Sequence, residues 1–140
     1  MQGVIFGDKH TYRNWDLIIK TRPNVSPPVP KLKLIQVPGS DHVIDLTEHL
    51  TGQVHYEPRT ISFEFVMMAE RSRWATLYSE IMTYLHGKSL RIIMDNDPNF
   101  YYTGRVIVGE LDPGKVTAEL KMQAQVEPYK KARFGEGKCL

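Results

Sequence analysis

Residues 116–126 read VTAELKMQAQV, and the alternation in this run decides the fold class. Val116, Ala118, Leu120, Met122, Ala124 and Val126 share one parity; Thr117, Glu119, Lys121, Gln123 and Gln125 share the other. Side chains of a strand point alternately to opposite faces, so this pattern predicts a strand with one apolar and one polar face. Upstream, LDPGK (111–115) puts Pro113 and Gly114 at the two central positions expected of a type II turn. Before that turn, YYTGRVIVG (101–109) and SLRIIM (89–94) read as two more strands, separated by DNDPN (95–99).

Further upstream the period changes. In TISFEFVMM (60–68), Ile61, Phe63, Phe65 and Met67 recur every second residue, again a half-buried strand. Between residues 70 and 86, Trp74, Leu77, Tyr78, Ile81 and Leu85 fall at i, i+3, i+4, i+7 and i+11, one stripe of an α-helix. Gly87 then suits the position just past the helix end. Burial of each large side chain of the stripe contributes roughly 1.5–3 kcal/mol, so the helix is expected to lie on a sheet.

The N-terminal part supplies VIF (4–6) and WDLIIK (15–20) as strands. TRPNVSPPVP (21–30) holds four prolines, which cannot donate to a ladder, and so reads as an extended connection. KLKLIQV (31–37) is expected as a strand with both faces partly buried. PGSD (38–41) is a turn, and VIDLT (43–47) returns, which makes 31–47 a hairpin. One helix among about eight strands predicts a mainly β (α+β) chain, an antiparallel β-sandwich-like domain with one packed amphipathic helix and an extended hairpin arm.

The 140 residues suffice for one domain with a useful core, and 41% hydrophobic with 24% charged residues is ordinary globular usage. No apolar run approaches the ~18 residues that span a bilayer, and MQGVIFGDKH has no secretory pattern. The single Cys139 excludes an intrachain disulfide and points to a reducing compartment. The formal charge is +2, but residues 130–140 alone carry +3, leaving −1 for the rest. A basic face across the body is therefore not expected, and the body is not expected to bind phosphate backbones.

DNDPN invites a metal reading, because Asp95 and Asp97 are alternate carboxylates. It lacks the further oxygen ligands, the glycine and the closing glutamate of a calcium loop, whereas Asp, Asn and Pro all suit a tight turn. A hairpin tip is expected. His42, Asp45, Glu48 and His49 would share zinc-like spacing only on a helix, and the β-branched VIDLT argues against a helix there. Tyr101-Tyr102 could stack bases, but in a strand one of the two packs inward. No nucleophile elbow, phosphate-cradling loop or dinucleotide fingerprint occurs. No catalytic residue, cofactor or metal is therefore expected. The enzyme alternative is a small metal-dependent one using Asp95 and Asp97.

The order of short motifs carries a resemblance. Y-x-x-R-x-I at Tyr56–Ile61 precedes the helix, L-x-G-K at Leu85–Lys88 follows it, DNDPN comes next, and E-P-Y-K-K at Glu127–Lys131 closes the run. Over residues 3–131 this resembles the N-terminal domain of siphophage distal tail (Dit) proteins of phages and prophages of Gram-positive bacteria. The resemblance implies a structural virion protein, assembled in the host cytoplasm, that forms a hexameric ring at the tail tip. It implies contacts with the tail tube, the tape-measure protein and tail-associated or baseplate proteins, without sequence-specific nucleic-acid binding. It divides the chain into a ring domain (1–131) and a flexible basic tail (132–140). Many members carry a further galectin-like domain, and none is expected here after Glu127-Pro128-Tyr129. A long early hairpin reaches the adjacent subunit in related proteins. Here the matching segment puts Lys31, Leu32, Lys33, Leu34, Ile35, Val37, Pro38, Asp41, His42, Val43 and Ile44 at the subunit interface. A tail tube or other tail ring subunit of similar fold is the near alternative.

Overall fold

The computed structural model describes residues 3–41, 43–48 and 52–140. In chain order the elements are β1 (Val4–Phe6), β2 (Lys9–His10), α1 (Thr11–Trp15), β3 (Leu17–Ile19), β4 (Asn24–Val25), β5 (Leu34–Gln36) and β6 (Val43–Asp45). There follow β7 (Arg59–Met67), a 3-10 turn at Arg71–Arg73, α2 (Trp74–Leu85), β8 (Ser89–Met94), β9 (Phe100–Pro113), β10 (Ala118–Val126), β11 (Lys130–Ala132) and β12 (Lys138–Cys139). Among the described residues, ten strands form one antiparallel sheet along the path β2-β1-β8-β9-β10-β7-β3, with β4, β11 and β12 attached. Strands β5 and β6 form a separate pair.

The period-two runs become the centre of this sheet. Ile61, Phe63, Phe65 and Met67 of β7 are buried, as are Ala118, Leu120, Met122, Ala124 and Val126 of β10. The two strands pair along their whole length, from Ala118 opposite Met67 to Val126 opposite Arg59. On the other side of β10, β9 passes so close that a Cβ on Gly104 would lie 2.2 Å from the Gln125 carbonyl oxygen; only glycine fits. Farther along, Gly109 and Glu110 together oppose Lys121, a bulge between Leu120–Leu111 and Met122–Val108.

The sheet curls over itself. Four strand spacings separate β1 from β7 along the path, about 19 Å in a flat sheet. Yet the rings of Phe6 (β1) and Phe63 (β7) meet edge-to-face at 5.5 Å. The two ends of the sheet therefore face each other across one apolar interior, the sandwich-like arrangement that the alternation implied. α2 adds its buried stripe of Trp74, Leu77, Ile81 and Leu85 to that interior. It is stitched to β9: the Tyr78 hydroxyl donates to the Gly109 carbonyl at 2.7 Å, and the Val108 amide donates to His86 Nδ1 at 3.1 Å.

Several local expectations change. Trp15 ends a one-turn helix instead of starting a strand. His10 Nδ1 accepts from the Tyr12 amide at the start of that helix, and Asp16 leaves it in the left-handed region at φ 53°. The strand begins only at Leu17. Pro113 is not a turn residue: it stays in the ladder opposite Ala118, and the chain reverses through Lys115 and Val116, with the Gly114 amide donating to the Thr117 carbonyl. Val116, expected to face inward, lies at this tip and is 83% exposed. Lys31–Val37 is not partly buried on both faces: within it only Val37 is half-buried and the rest is exposed. Among the described residues its strand pairs with β6 alone, apart from the ten-stranded sheet.

At the C-terminal end, Lys131 pairs with Tyr101 of β9 and Ala132 with Phe100, while Lys138 and Cys139 pair back onto Lys131 and Lys130. The boundary expected at residue 131 falls inside β11.

Candidate subunit interface

The arm is built from its root outward. Downstream of Thr21–Pro23, the proline-rich connection is tied down where it can donate: Asn24 and Val25 pair with Ser62 and Ile61, and the Ser26 amide donates to the Thr60 carbonyl at 3.0 Å. Beyond three prolines, the Lys31 amide donates to the His55 carbonyl and the Glu57 amide to the Val29 carbonyl, both at 2.7 Å. These bonds close the root of the loop. Arg59, 9% exposed, clamps it to the body: its Nε donates to the Ser26 carbonyl at 3.0 Å, and its Nη1 to the Pro128 carbonyl at 3.3 Å. The rings of Tyr56 and Tyr129 meet edge-to-face at 6.0 Å. The motifs Y-x-x-R-x-I and E-P-Y-K-K, distant in sequence, therefore meet at the root of the arm.

Outward from the root, Leu34, Ile35 and Gln36 pair with Asp45, Ile44 and Val43. Pro38-Gly39 turns the chain, with Gly39 at φ 75° and the Ser40 amide donating to the Val37 carbonyl at 3.2 Å, the geometry in which proline precedes glycine in a type II turn. At the far end of β6, the Thr47 hydroxyl and amide both donate to Asp45. The hydroxyl bond, and then the amide bond, hold the Asp45 carboxyl below its usual range, so this exposed group is an anion at neutral pH.

Paired residues share a face, so Leu34 and Val43 belong to one face and the Ile35–Ile44 pair to the other. All four are exposed, between 44% and 53%. Lys31, Leu32, Lys33, Pro38 and Asp41 are exposed as well, and Val37 is half-buried. His42 and His49 lie outside the described residues. Val29, at 61% exposure, extends the apolar surface toward the root and was not among the expected interface residues. Its place between prolines gave no period to read.

The acidic turn resolves differently. Asp95 and Asp97 do lie in the reversal between β8 and β9. They do not converge on a common point. Asp95 Oδ2 accepts from the Gly3 amide and from His10 Nε2, each at 2.9 Å. Because His10 Nδ1 already accepts from the Tyr12 amide, the proton sits on Nε2. Asp97 Oδ2 takes Lys130 Nζ at 2.7 Å. That hydrogen bond raises the Lys130 pKa above its usual value against the opposing effect of burial. Each carboxylate thus fastens a different segment to the turn. Among the described residues, no three His, Cys, Asp or Glu side chains gather as a metal-holding group, and no helix is long and apolar enough to cross a membrane.

A curled antiparallel sheet carrying one packed helix, with a free-standing hairpin rooted on its edge, is a Dit-like fold. No family model matches the sequence, and no curated protein matches it. Among solved structures, the crystal structure of the SPP1 Dit protein is similar over 94% of this chain, with a TM-score of 0.67 and 11% sequence identity. That protein is described as a paradigm of the hub adsorption apparatus in phages infecting Gram-positive bacteria. The chain spans about half, 52%, of its length.

Proposed function

We propose that this protein is a structural component of a phage tail tip, a distal tail protein whose copies close into a hexameric ring through the β5–β6 arm. The observation that carries this reading is the arm: a two-stranded pair with exposed apolar side chains on both faces, in a chain with a Dit-like fold. An isolated two-stranded hairpin is marginal in water. A cover on each face stabilises it, and seating each large side chain contributes roughly 1.5–3 kcal/mol. A neighbouring copy supplies that cover, and cyclic closure repeats the contact until no arm is left over. In this reading the ring joins the tail tube to the parts that contact the host, with the arm residues Leu34, Ile35, Val43 and Ile44 at the subunit boundary.

Light scattering and negative-stain imaging test it. Rings whose mass is a fixed multiple of the chain are expected, and Ile35→Lys with Ile44→Lys should return them to folded monomers. A wild-type chain that stays monomeric at high concentration in every salt would overturn the reading. Tubes in place of rings would assign it to the tube.

A further inference from the structure

The basic C-terminal residues are not separate from the body. β11 continues the β10 edge of β9, and β12 lies outside it, which gives the lateral order β8-β9-β11-β12. Register then assigns faces. Arg91 opposes Thr103, Ser89 opposes Arg105, and Lys131 lies between Tyr101 and Lys138. On β9, Tyr102, Val106 and Val108 point into the core, so Tyr101, Thr103 and Arg105 point out. Arg91, Arg105, Lys131 and Lys138 therefore stand on one outward face, across three strand spacings of about 4.8 Å each.

Their surroundings are mostly neutral. The Arg91 guanidinium lies 5.4 Å from the centre of the Tyr101 ring, and Lys138 Nζ lies 4.7 Å from that of Tyr129. Arg105 donates to the Gly87 carbonyl, a neutral partner. The acid found among them is Glu127, 3.4 Å from Lys131 in an exposed pair. Ser89, Thr103 and Gln125 beside them are uncharged.

We propose that this face binds the phosphate backbone of duplex DNA without reading its sequence. A row of cations roughly 14 Å long, one per strand or nearly so, matches a polyanion whose phosphates rise 3.4 Å per nucleotide on each strand. Tyr101 is half-buried, with the Arg91 guanidinium 5.4 Å from its ring centre. Backbone contact by cations and hydroxyl groups positions a protein on DNA but carries no sequence information. The inference concerns a single chain and does not depend on ring closure.

Fluorescence anisotropy of the full chain with a labelled mixed-sequence duplex at low salt tests it. Binding is expected, and log K should fall with log salt with a slope of about −3 to −4, as release of counterions from three or four phosphates requires. Arg91→Gln with Lys131→Gln and Lys138→Gln should weaken binding about tenfold or more and flatten the slope by about 2 to 3. Lys115→Gln with Arg13→Gln, at the β9–β10 tip and on α1, should change neither, and thermal melts of both variants should match the wild type. If the triple variant melts early, the three single variants are read in its place, each losing about one unit of slope. No binding by the wild type, or equal loss in the two variants, overturns the proposal. So does a polyglutamate peptide that displaces the duplex from the same cations at equal charge, which would assign the face to an acidic protein. Ring assembly, followed separately by light scattering, should survive in the triple variant.

Discussion

The hairpin of β9 and β10 and the hairpin of β5 and β6 start from the same local rule. Each pairs two antiparallel strands and reverses through a short turn. In the first, every inward residue of β10 from Ala118 to Val126 is at most 2% exposed. In the second, Leu34, Ile35, Val43 and Ile44 are all about half exposed. The difference lies in neighbours. β10 has a long partner on each side, and its apolar face closes against the far end of the curled sheet. Among the described residues β5 pairs with β6 alone, and the apolar side chains on both faces of that pair stay about half exposed. The first hairpin derives its stability from within the chain, and the second leaves its apolar side chains about half exposed.

Substitutions can break or sharpen that contrast. The largest effect is expected in the closed half. Phe63→Ala removes a ring that is 1% exposed and touches both Phe6 and Phe65, and should lower the unfolding free energy by about 3–5 kcal/mol in urea titrations. Arg59→Ala, at the junction of the two regions, strips donors from the Ser26 and Pro128 carbonyls and should cost about 2–3 kcal/mol. It should also loosen the arm root, seen as faster amide exchange at Lys31 and Glu57.

Asp97→Asn probes the link between the acidic turn and β11, and should cost less than about 1 kcal/mol because both partners are partly exposed. Its pH dependence has a definite sign. Asp97 raises the Lys130 pKa above 10.5, so the pair's contribution is complete below that value and is lost as pH rises through the raised one. Urea midpoints of wild type and variant should therefore differ at neutral pH and converge in strong alkali. The smallest effect on the monomer is expected in the arm. Ile35→Lys with Ile44→Lys should move the unfolding free energy of dilute monomer by no more than about 0.5 kcal/mol while abolishing assembly. A loss comparable to that of Phe63→Ala would mean that the arm is part of the chain's own core, and the contrast would fail.

Much of this was legible residue by residue. Ile61, Phe63, Phe65 and Met67, the stripe from Trp74 to Leu85, and the turn at DNDPN are local patterns, and the structure keeps them. The errors were local too, and their causes differ in range. Pro113 reads as a turn residue in isolation, but the register with β10 keeps it in the ladder opposite Ala118, the last buried position of that strand. Trp15 reads as strand, but His10 accepts from the Tyr12 amide, which favours one helical turn before Leu17. For the candidate interface, the hairpin itself was visible in Lys31–Thr47, whereas its exposure was not. The cationic face could not be read at all, because Arg91, Arg105, Lys131 and Lys138 come from three separate segments.

The sequence by itself determined the periods: which residues alternate, where the helix runs, and where proline, glycine and aspartate reverse the chain. Those choices follow from backbone sterics and from the geometry of one strand or one helix, which act over a few residues. Only the tertiary structure decided that Phe6 meets Phe63, that Arg59 binds the Pro128 carbonyl, that the last strands extend the sheet beside Tyr101, and that the arm side chains stay about half exposed. Each of these depends on which distant segments come together to bury apolar surface and satisfy backbone groups, and no local period encodes that choice.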